Sequence, residues 1–327
     1  MNKKFIIDQN NHKKRLDIFL TAMLKETRSQ IKTVIDSGFV TVDKTVVRKN
    51  GFQVVLNNIV EVNVEIKKEK RQRSSQDEEL EKLDIKIIYE DDFILVINKP
   101  SNLIIHDAPT VHEPTLVDWL RYKKISLSTI SGEIRHGIVH RLDKGTSGAM
   151  VVAKTNEAHI KLSSQLKDKS MGRYYCMMIN QTLKQNQIIN KPLSRDRKNR
   201  IRISVQNGGK ESKTAFLKYK KAICNNTEVI FAKLYTGRTH QIRAHLNFIN
   251  RQIIGDLLYD FKGKDDKIYL HSFILYLIHP QTGQKMVFKA SFDDKFKQKL
   301  KDDFNIKEND FEKIDEIYLH KQFNSFI

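Results

Sequence analysis

A carboxylate lies between two basic residues in the stretch HGIVHRLDKGTSG, which occupies residues 136–148. Asp143 has Arg141 and Lys144 as close neighbours, and two glycines bracket the hydroxylic residues that follow. Apolar residues on both sides indicate a tight turn at the mouth of a sheet, where the backbone can approach a ligand. A carboxylate in such a turn acts either as a nucleophile or base, or as one half of a structural ion pair. The spacing alone leaves both interpretations open.

The composition indicates a globular protein with a polyanionic partner. Lys and Arg number 58 against 39 Asp and Glu, which gives a net charge of +19. Such an excess favours a polyanionic partner, because each phosphate that a cation neutralises releases counterions. Composition alone fits nucleic acid or an anionic membrane face, and the lack of a strongly apolar amphipathic anchor favours nucleic acid. The apolar runs are too short for a membrane span, and the N-terminal stretch has no secretory apolar region. We therefore expect a cytoplasmic monomer that binds nucleic acid and not membrane.

The first part of the chain predicts a small module of two helices and a hairpin over residues 14–66. Apolar residues recur at helical spacing from Leu16 to Leu24 and again from Ile31 to Ile35. The segments FVTV, QVVL and IVEVNV then alternate or run apolar as short strands. Basic side chains on the helices form either an RNA-binding surface or an ordinary solvated face. Those predicted to bind RNA are Arg15, Arg28 and Lys32.

Three further segments follow this module. Residues 67–83 carry a basic block and then an acidic block without apolar periodicity, which predicts a mobile linker. Residues 84–300 combine short apolar strands with helices, one with Thr155 or Asn156 as its candidate cap and another with Thr239. Because strands and helices do not alternate steadily, we predict an α+β domain with a mixed, largely antiparallel sheet and flanking helices. Residues 301–327 predict a helical C-terminal appendage.

Several separated blocks resemble one known family. GIVHRLDKGTSG closely resembles the signature of the RluA-type pseudouridine synthases, and INKPSNLIIH upstream and LYTGRTHQIRAHL and IIGDLLY downstream match the same family in order and distance. RLDIFL and TRSQIKTVIDSGFVTVDKTVV resemble an S4 RNA-binding domain. LSRDRKNRIRISVQNGGKESKTAF is most similar to the D-type enzymes, which modify a helix of large-subunit ribosomal RNA. The segment KPSNLIIHD departs from the family, which usually has Ser/Ala-Gly and His-Pro there.

The resemblance implies a fold, a reaction and roles for three residues. It implies an S4-like domain followed by a pseudouridine synthase catalytic domain. The catalytic domain would isomerise uridine to pseudouridine without a cofactor or metal. Asp143 would attack C1′ of the ribose or remove the proton on C2′. Arg243 would be the cation that keeps this carboxylate ionised. Tyr175 would stack on the uracil and relay the proton that leaves C5, with Tyr174 as the alternative.

The RNA-binding residues of the catalytic domain are expected around this site. Arg141 would fill the gap left by a flipped base, although it could instead form a salt bridge. Arg238 would order its loop or contact phosphate. Residues 191–220 hold ten Lys or Arg against two Asp or Glu, which predicts a basic RNA-binding hairpin with its turn at Gly208 and Gly209. The other residues predicted to bind RNA are Lys144, Lys154, Arg197, Lys198 and Arg200.

The expected partner is structured RNA, with large-subunit ribosomal RNA or an assembling large ribosomal subunit favoured. Three alternatives remain at this stage. One is a non-catalytic RNA-binding or ribosome-assembly factor on the same fold, and another is a pseudouridine synthase that acts on transfer RNA. The third is a glycosylase that releases the base by letting water reach the same carboxylate.

Overall fold

The computed structural model divides the chain into two compact units, Met1–Arg73 and Ser74–Ile327. In the described part of the chain, no helix is long and apolar enough to cross a membrane. The structure describes residues 2–24, 28–63, 78–106, 113–130, 136–265 and 267–326.

The first unit packs two helices against a four-stranded antiparallel sheet. Its elements are β1 (Asn2–Ile6), α1 (Leu16–Leu24), α2 (Arg28–Asp36), β2 (Val40–Val42), β3 (Thr45–Val46) and β4 (Ile59–Asn63). The strand order is β1-β4-β2-β3. Most of the apolar residues at helical spacing are buried against the valines of β2 and β4, namely Leu16, Phe19, Leu20, Ile31 and Ile35, whereas Met23 is exposed. The two-residue turn between β2 and β3 places Asp43 at φ 49° and Lys44 at φ 67°, as a type I′ hairpin turn requires.

Two details of this unit differ from the prediction. Strand β1 precedes the predicted start of the module at residue 14, and it pairs with β4 along its whole length. Its sequence, NKKFI, has no apolar alternation by which to recognise a strand. The segment QVVL forms no strand, although Gln53 makes an isolated bridge to Arg15 and Val54 is fully buried.

The second unit is built on a nine-stranded sheet and a separate two-stranded hairpin. The strands are β5 (Lys86–Glu90), β6 (Ile94–Lys99), β7 (Ser147–Ala153), β8 (Gly172–Ile179), β9 (Gln187–Asn190), β10 (Leu193–Arg195), β11 (Ile203–Val205), β12 (Lys213–Lys221), β13 (Glu228–Leu234), β14 (Leu270–Ile278) and β15 (Lys285–Lys289). In the described residues the large sheet has the order β5-β6-β7-β14-β8-β13-β12-β9, and β15 pairs with β14. The hairpin joins β10 and β11. Among these strands only β7 and β14 run parallel, so the predicted α+β class with a largely antiparallel sheet is confirmed.

Helices cover both faces of this sheet. They are α3 (Leu116–Tyr122), α4 (Asn156–Asp168), α5 (Gln241–Phe248), α6 (Asp294–Phe304) and α7 (Glu316–Asn324). Residues of α3 and α5 share one apolar core with alternate residues of β6, β7 and β8. The opposite face packs against α4 in one core and against α6 and α7 in another. Thr155 caps α4 as predicted, since its side chain accepts a hydrogen bond from the Ala158 N–H.

The predicted boundaries of the catalytic domain need correction at both ends. Of the predicted linker 67–83, residues 67–77 lie outside the described residues. Residues 78–81 form a helical turn whose Leu80 is buried in the core of the second unit. The predicted boundary after residue 300 falls inside α6. Residues 301–327 are not an appendage, because Phe304 and Phe323 are fully buried in the core that covers the sheet.

Candidate active site

A cavity of about 400 Å³ brings together five of the predicted site residues, which are Asp143, Tyr175, Arg243, Arg141 and Arg238.

Asp143 lies in the turn that leads into β7, where the Thr146 N–H donates to its carbonyl oxygen at 3.0 Å. Gly148 follows at φ +109°, and a Cβ on it would lie 2.3 Å from the carbonyl oxygen of Ser272. Glycine is therefore required here, where β7 passes β14. The Asp143 side chain is 17% exposed and opens into the cavity.

Arg243 is buried between two carboxylates. Its Nη1 lies 3.6 Å from Oδ2 of Asp143. Its Nε and Nη2 donate to the two carboxylate oxygens of Asp256, both at 2.7 Å. Burial would lower the pKa of Arg243, but the hydrogen bonds and charge of Asp256, together with the charge of Asp143, raise it. Asp256 is therefore the main partner of Arg243, and Asp143 is held near the same cation.

Tyr259 connects this ion pair to the basic hairpin. The Arg243 guanidinium lies over its ring, 4.8 Å from the centroid. The Tyr259 hydroxyl accepts from the Ile203 N–H at 2.9 Å and donates to the Ile203 carbonyl oxygen at 3.0 Å. The base of the hairpin is thus fixed directly behind Arg243. Sequence reasoning assigned no role to Asp256 or Tyr259, although the block IIGDLLY contains both.

The two neighbouring tyrosines of β8 point to opposite faces of the sheet, because side chains alternate along a strand. Tyr175 lines the cavity and belongs to the core on that side. Burial raises the pKa of its hydroxyl, while the charge of Arg173 opposes the shift. Tyr174 packs into the other core, where its ring stacks on Phe323 at 5.5 Å. Tyr174 is therefore separated from the cavity by the sheet.

A buried lysine is hydrogen-bonded to the backbone of the turn that carries Asp143. Lys99, at the end of β6, is fully buried and donates to the carbonyl oxygens of Pro100 and Leu103 at 2.9 Å and of Lys144 at 3.2 Å. Burial lowers the pKa of Lys99 to about 7, against the opposing charge of Asp143. Its three hydrogen bonds connect the block INKPSN to the turn that carries Asp143.

The loop before α5 differs from the prediction at its helix cap. Thr239 does not cap the helix; the N-cap is His240, at φ 53° and without a side-chain hydrogen bond to the helix. Gln241 orders the loop instead. Its side-chain oxygen accepts from the Thr236 hydroxyl at 2.7 Å and from the Arg238 N–H at 3.0 Å.

Other residues predicted to bind RNA lie outside the cavity. Lys144 pairs with Glu113 at 2.7 Å, and Lys154 pairs with Glu90 at 2.8 Å. In the first unit, Arg15 forms a two-pronged ion pair with Asp17, with both N···O distances at 3.0 Å. Lys32 is exposed on α2. The side chain of Arg28 lies outside the described residues.

The basic hairpin turns at a different place from the prediction. Residues 196–202 connect β10 to β11, whereas Gly208 and Gly209 belong to a second turn beyond β11. Arg202 anchors the hairpin through two hydrogen bonds of 2.7 and 2.6 Å to the carboxylate of Asp260. The exposed side chains of the connecting loop are Arg197, Lys198, Arg200 and Ile201. Within the described residues, no cluster of three or more His, Cys, Asp or Glu could hold a metal ion.

Comparison with known proteins matches the chain to one family of RNA-modifying enzymes. The family model "RNA pseudouridylate synthase" matches residues 93–248, and the S4 domain model matches residues 14–60. An "uncharacterized RNA pseudouridine synthase" of Helicobacter pylori is 39% identical over 97% of both chains. The "ribosomal large subunit pseudouridine synthase D" of Zymomonas mobilis is 32% identical over 84% of this chain and 89% of its own length. The structure of human "RNA Pseudouridylate Synthase Domain Containing 1" shares the fold, with a TM-score of 0.53 at 22% identity over 64% of this chain and 84% of that chain.

Proposed function

The chain belongs to the family of RNA pseudouridine synthases, and we propose that it isomerises specific uridines of large-subunit ribosomal RNA, as a monomer in the cytoplasm. The observation that carries the reaction is the placement of Asp143, Tyr175 and Arg243 on one cavity. The relatives named for a large-subunit reaction align over 84 to 86% of this chain and support the ribosomal target.

The reaction breaks the bond from C1′ to N1 and joins C5 to C1′ of the same ribose. The product is an isomer, because the base is turned and not released. As C1′ loses N1 it becomes electron-poor, and an ionised carboxylate stabilises or attacks it. Asp143 is the only carboxylate among the described residues that line the cavity, so we assign it this role. It acts by attack on C1′ or by removal of the C2′ proton.

Arg243 acts on the carboxylate of Asp143, and Tyr175 acts on the uracil base. The Arg243 guanidinium, fixed by Asp256, holds a positive charge 3.6 Å from Asp143 and favours its ionised form. The ring of Tyr175 provides a flat surface for the uracil. Its neutral hydroxyl can relay the proton that C5 loses after the new bond forms: it accepts that proton while it passes its own proton to N1 of the base or to solvent.

The target nucleotide must leave its stack to reach Asp143, at a cost of a few kcal/mol. Arg141 is exposed at the cavity and bears a donor-rich planar group that can occupy the vacated position. The loop 196–202 supplies three exposed cations to the phosphate backbone. Residues of the S4 domain, among them Lys32, add further contacts to structured RNA.

The direct test expresses the wild type and Asp143→Ala in a strain that lacks its own large-subunit pseudouridine synthases. Pseudouridines are then mapped across total RNA by carbodiimide-dependent stops of reverse transcription. We expect the wild type, but not the variant, to restore stops in large-subunit ribosomal RNA. Stops confined to transfer RNA would overturn the ribosomal target. The enzymatic assignment would fail if neither protein produced stops, and release of free uracil would indicate a glycosylase.

The tyrosine assignment leads to a matched pair of variants. Tyr175→Phe is expected to lower the isomerisation rate by about 10²-fold to 10⁴-fold, because the proton relay is lost while the ring remains. Tyr174→Phe should leave the rate unchanged, since Tyr174 lies on the other face of the sheet. The Tyr174 hydroxyl is buried without a hydrogen-bond partner among the described residues, so its loss should not destabilise the fold. Single-turnover rates and melting temperatures check both expectations, and equal rates for the two variants would contradict them.

The exposed cations of the basic hairpin are predicted to contribute to RNA binding. Replacing Arg197, Lys198 and Arg200 together by glutamine should weaken RNA binding and lower the slope of log K against log[salt] by about 2 to 3. A control with three exposed lysines of the C-terminal region changed to glutamine removes the same charge elsewhere. The control positions are Lys301, Lys313 and Lys321. Filter binding over a salt series is the measurement, and equal slopes in the two triple variants would exclude the hairpin from the RNA interface.

A further inference from the structure

Arg173 is a further cation at the cavity and lies two residues before Tyr175 on β8. It forms no ion pair with a carboxylate in the described part of the chain, and its buried Nε has no hydrogen-bond partner there. Its side chain contacts His140, and the Nη1 atom of Arg173 lies 2.5 Å from Nδ1 of the imidazole. A guanidinium carries five N–H donors and no acceptor. The buried Nε donor of Arg173 therefore lacks an acceptor among the described residues.

The contact with His140 does not satisfy Arg173 either. The other ring nitrogen of His140, Nε2, accepts from the Val151 N–H at 3.2 Å. A neutral imidazole accepts at one nitrogen and carries hydrogen on the other, and a protonated imidazole accepts at neither. Burial and the charge of Arg173 lower the pKa of His140 well below its usual value, which favours the neutral ring. Both nitrogens thus face obligatory donors, and one of the two contacts sets a donor against a donor.

The surroundings of Arg173 indicate an anionic ligand. Three other cations on the cavity wall, Arg141, Lys169 and Arg238, also have no carboxylate partner in the described ranges. Lys169 and Arg238 instead donate to backbone carbonyl oxygens of Leu166 and Glu211. With Asp143 as the one acidic residue of the described lining, this part of the cavity has a strong excess of positive charge.

We propose that Arg173 binds a phosphodiester of the RNA strand that delivers the uridine, and that it turns away from His140 when RNA is bound. This inference rests on the proposed function and extends it to a phosphate site next to Tyr175. The planar guanidinium fork matches two phosphate oxygens, and it gives Arg173 the acceptors that it lacks in the free protein. His140 then keeps its proton on Nδ1 and accepts only from Val151, which removes the conflict between donors.

The test compares Arg173→Gln and Arg173→Lys with the control Lys161→Gln. Lys161 is exposed on α4 and pairs with Glu157 one turn away, so the control removes one remote charge. The probe is an in vitro transcript of an RNA segment that the wild type modifies. We expect Arg173→Gln to bind it about tenfold more weakly and to lower the salt slope by about 1. Arg173→Lys should keep the slope, since it keeps the charge. The control Lys161→Gln should keep the saturating single-turnover rate and the salt slope of the wild type, since Lys161 lies on the exposed side of α4.

Two outcomes would overturn the phosphate site. One is a salt slope for Arg173→Gln equal to that of Lys161→Gln. The other is a large loss of the saturating rate with unchanged affinity, which would assign Arg173 to the electrostatics of Tyr175. Melting temperatures show whether each variant is folded. If the glutamine variant is not, Arg173→Lys tests the site through affinity: lysine loses the two-pronged contact, so weaker binding at an unchanged slope is expected and wild-type affinity would overturn the site. If the wild type forms no pseudouridine at all, the proposed function fails. The salt slopes, measured on total RNA, would still decide whether Arg173 contacts phosphate.

Discussion

Replacing Asp143 with asparagine is expected to reduce pseudouridine formation by at least about 10⁴-fold, because the amide can neither attack C1′ nor accept the C2′ proton. The fold should survive the change. Arg243 keeps its two hydrogen bonds to Asp256 at 2.7 Å, so the loss of the contact at 3.6 Å leaves no buried cation without a partner. RNA affinity should not fall, since a negative charge is removed from a basic cavity.

The measurement is a single-turnover assay of pseudouridine formation, with RNA affinity and melting temperature measured on the same samples. Asp302→Asn is the matched control, because Asp302 is exposed on α6 and accepts hydrogen bonds from Gln298 at the surface. If the Asp143→Asn variant kept a rate within tenfold of the control, Asp143 would have no part in the chemistry. A melting temperature far below that of the control would mean that the turn itself depends on the charge.

Replacing Asp256 with asparagine is expected to damage both stability and catalysis. Asp256 is fully buried, and its change leaves the guanidinium of Arg243 with a neutral partner at its two-pronged contact. Breaking a buried pair in this way costs about 3–5 kcal/mol, or about 10 °C in melting temperature for a unit of this size. The rate should fall as well, because a guanidinium that is no longer fixed shifts toward Asp143 and competes with the ribose for its carboxylate oxygens.

Asp260→Asn is the control for this prediction. Asp260 lies four residues later and pairs with Arg202 at the surface, with 58% of its side chain exposed, so its loss should cost about 1 kcal/mol or less. Chemical unfolding measures the stability of the two variants, and single-turnover assays measure their rates of pseudouridine formation. If Asp256→Asn were as stable and as active as Asp260→Asn, Asp256 would have no role in positioning Arg243.

The sequence predicted which side chains meet at the cavity better than it predicted the residues that hold them there. The blocks around Asp143, Tyr175 and Arg243 are continuous, and strand alternation alone separates Tyr175 from Tyr174. The partnership of Arg243 with Asp256 joins a helix to a turn 13 positions later, and neither periodicity nor spacing specifies such a contact. The same holds for Tyr259, which reaches back to Ile203 across the hairpin.

Element boundaries failed where tertiary packing overrides local signals. His240 rather than Thr239 precedes α5, because the chain enters that helix in a left-handed conformation and Gln241 holds the loop. Residues 301–327 were predicted to form a helical appendage, yet a buried phenylalanine, leucine or isoleucine recurs along one side of α6 and α7. Only the position of the sheet shows that this stripe covers a central core.

The late position of those helices has a consequence for biosynthesis. Phe231 and Phe273 on the sheet are covered by Phe311 and its neighbours, which the ribosome makes after all nine strands. At about 5–20 residues per second, the nascent sheet therefore shows an apolar face for a period on the order of seconds. The first unit has no such interval, since its core is complete once Val62 has emerged. The second unit therefore exposes apolar surface on the ribosome for longer than the first unit does.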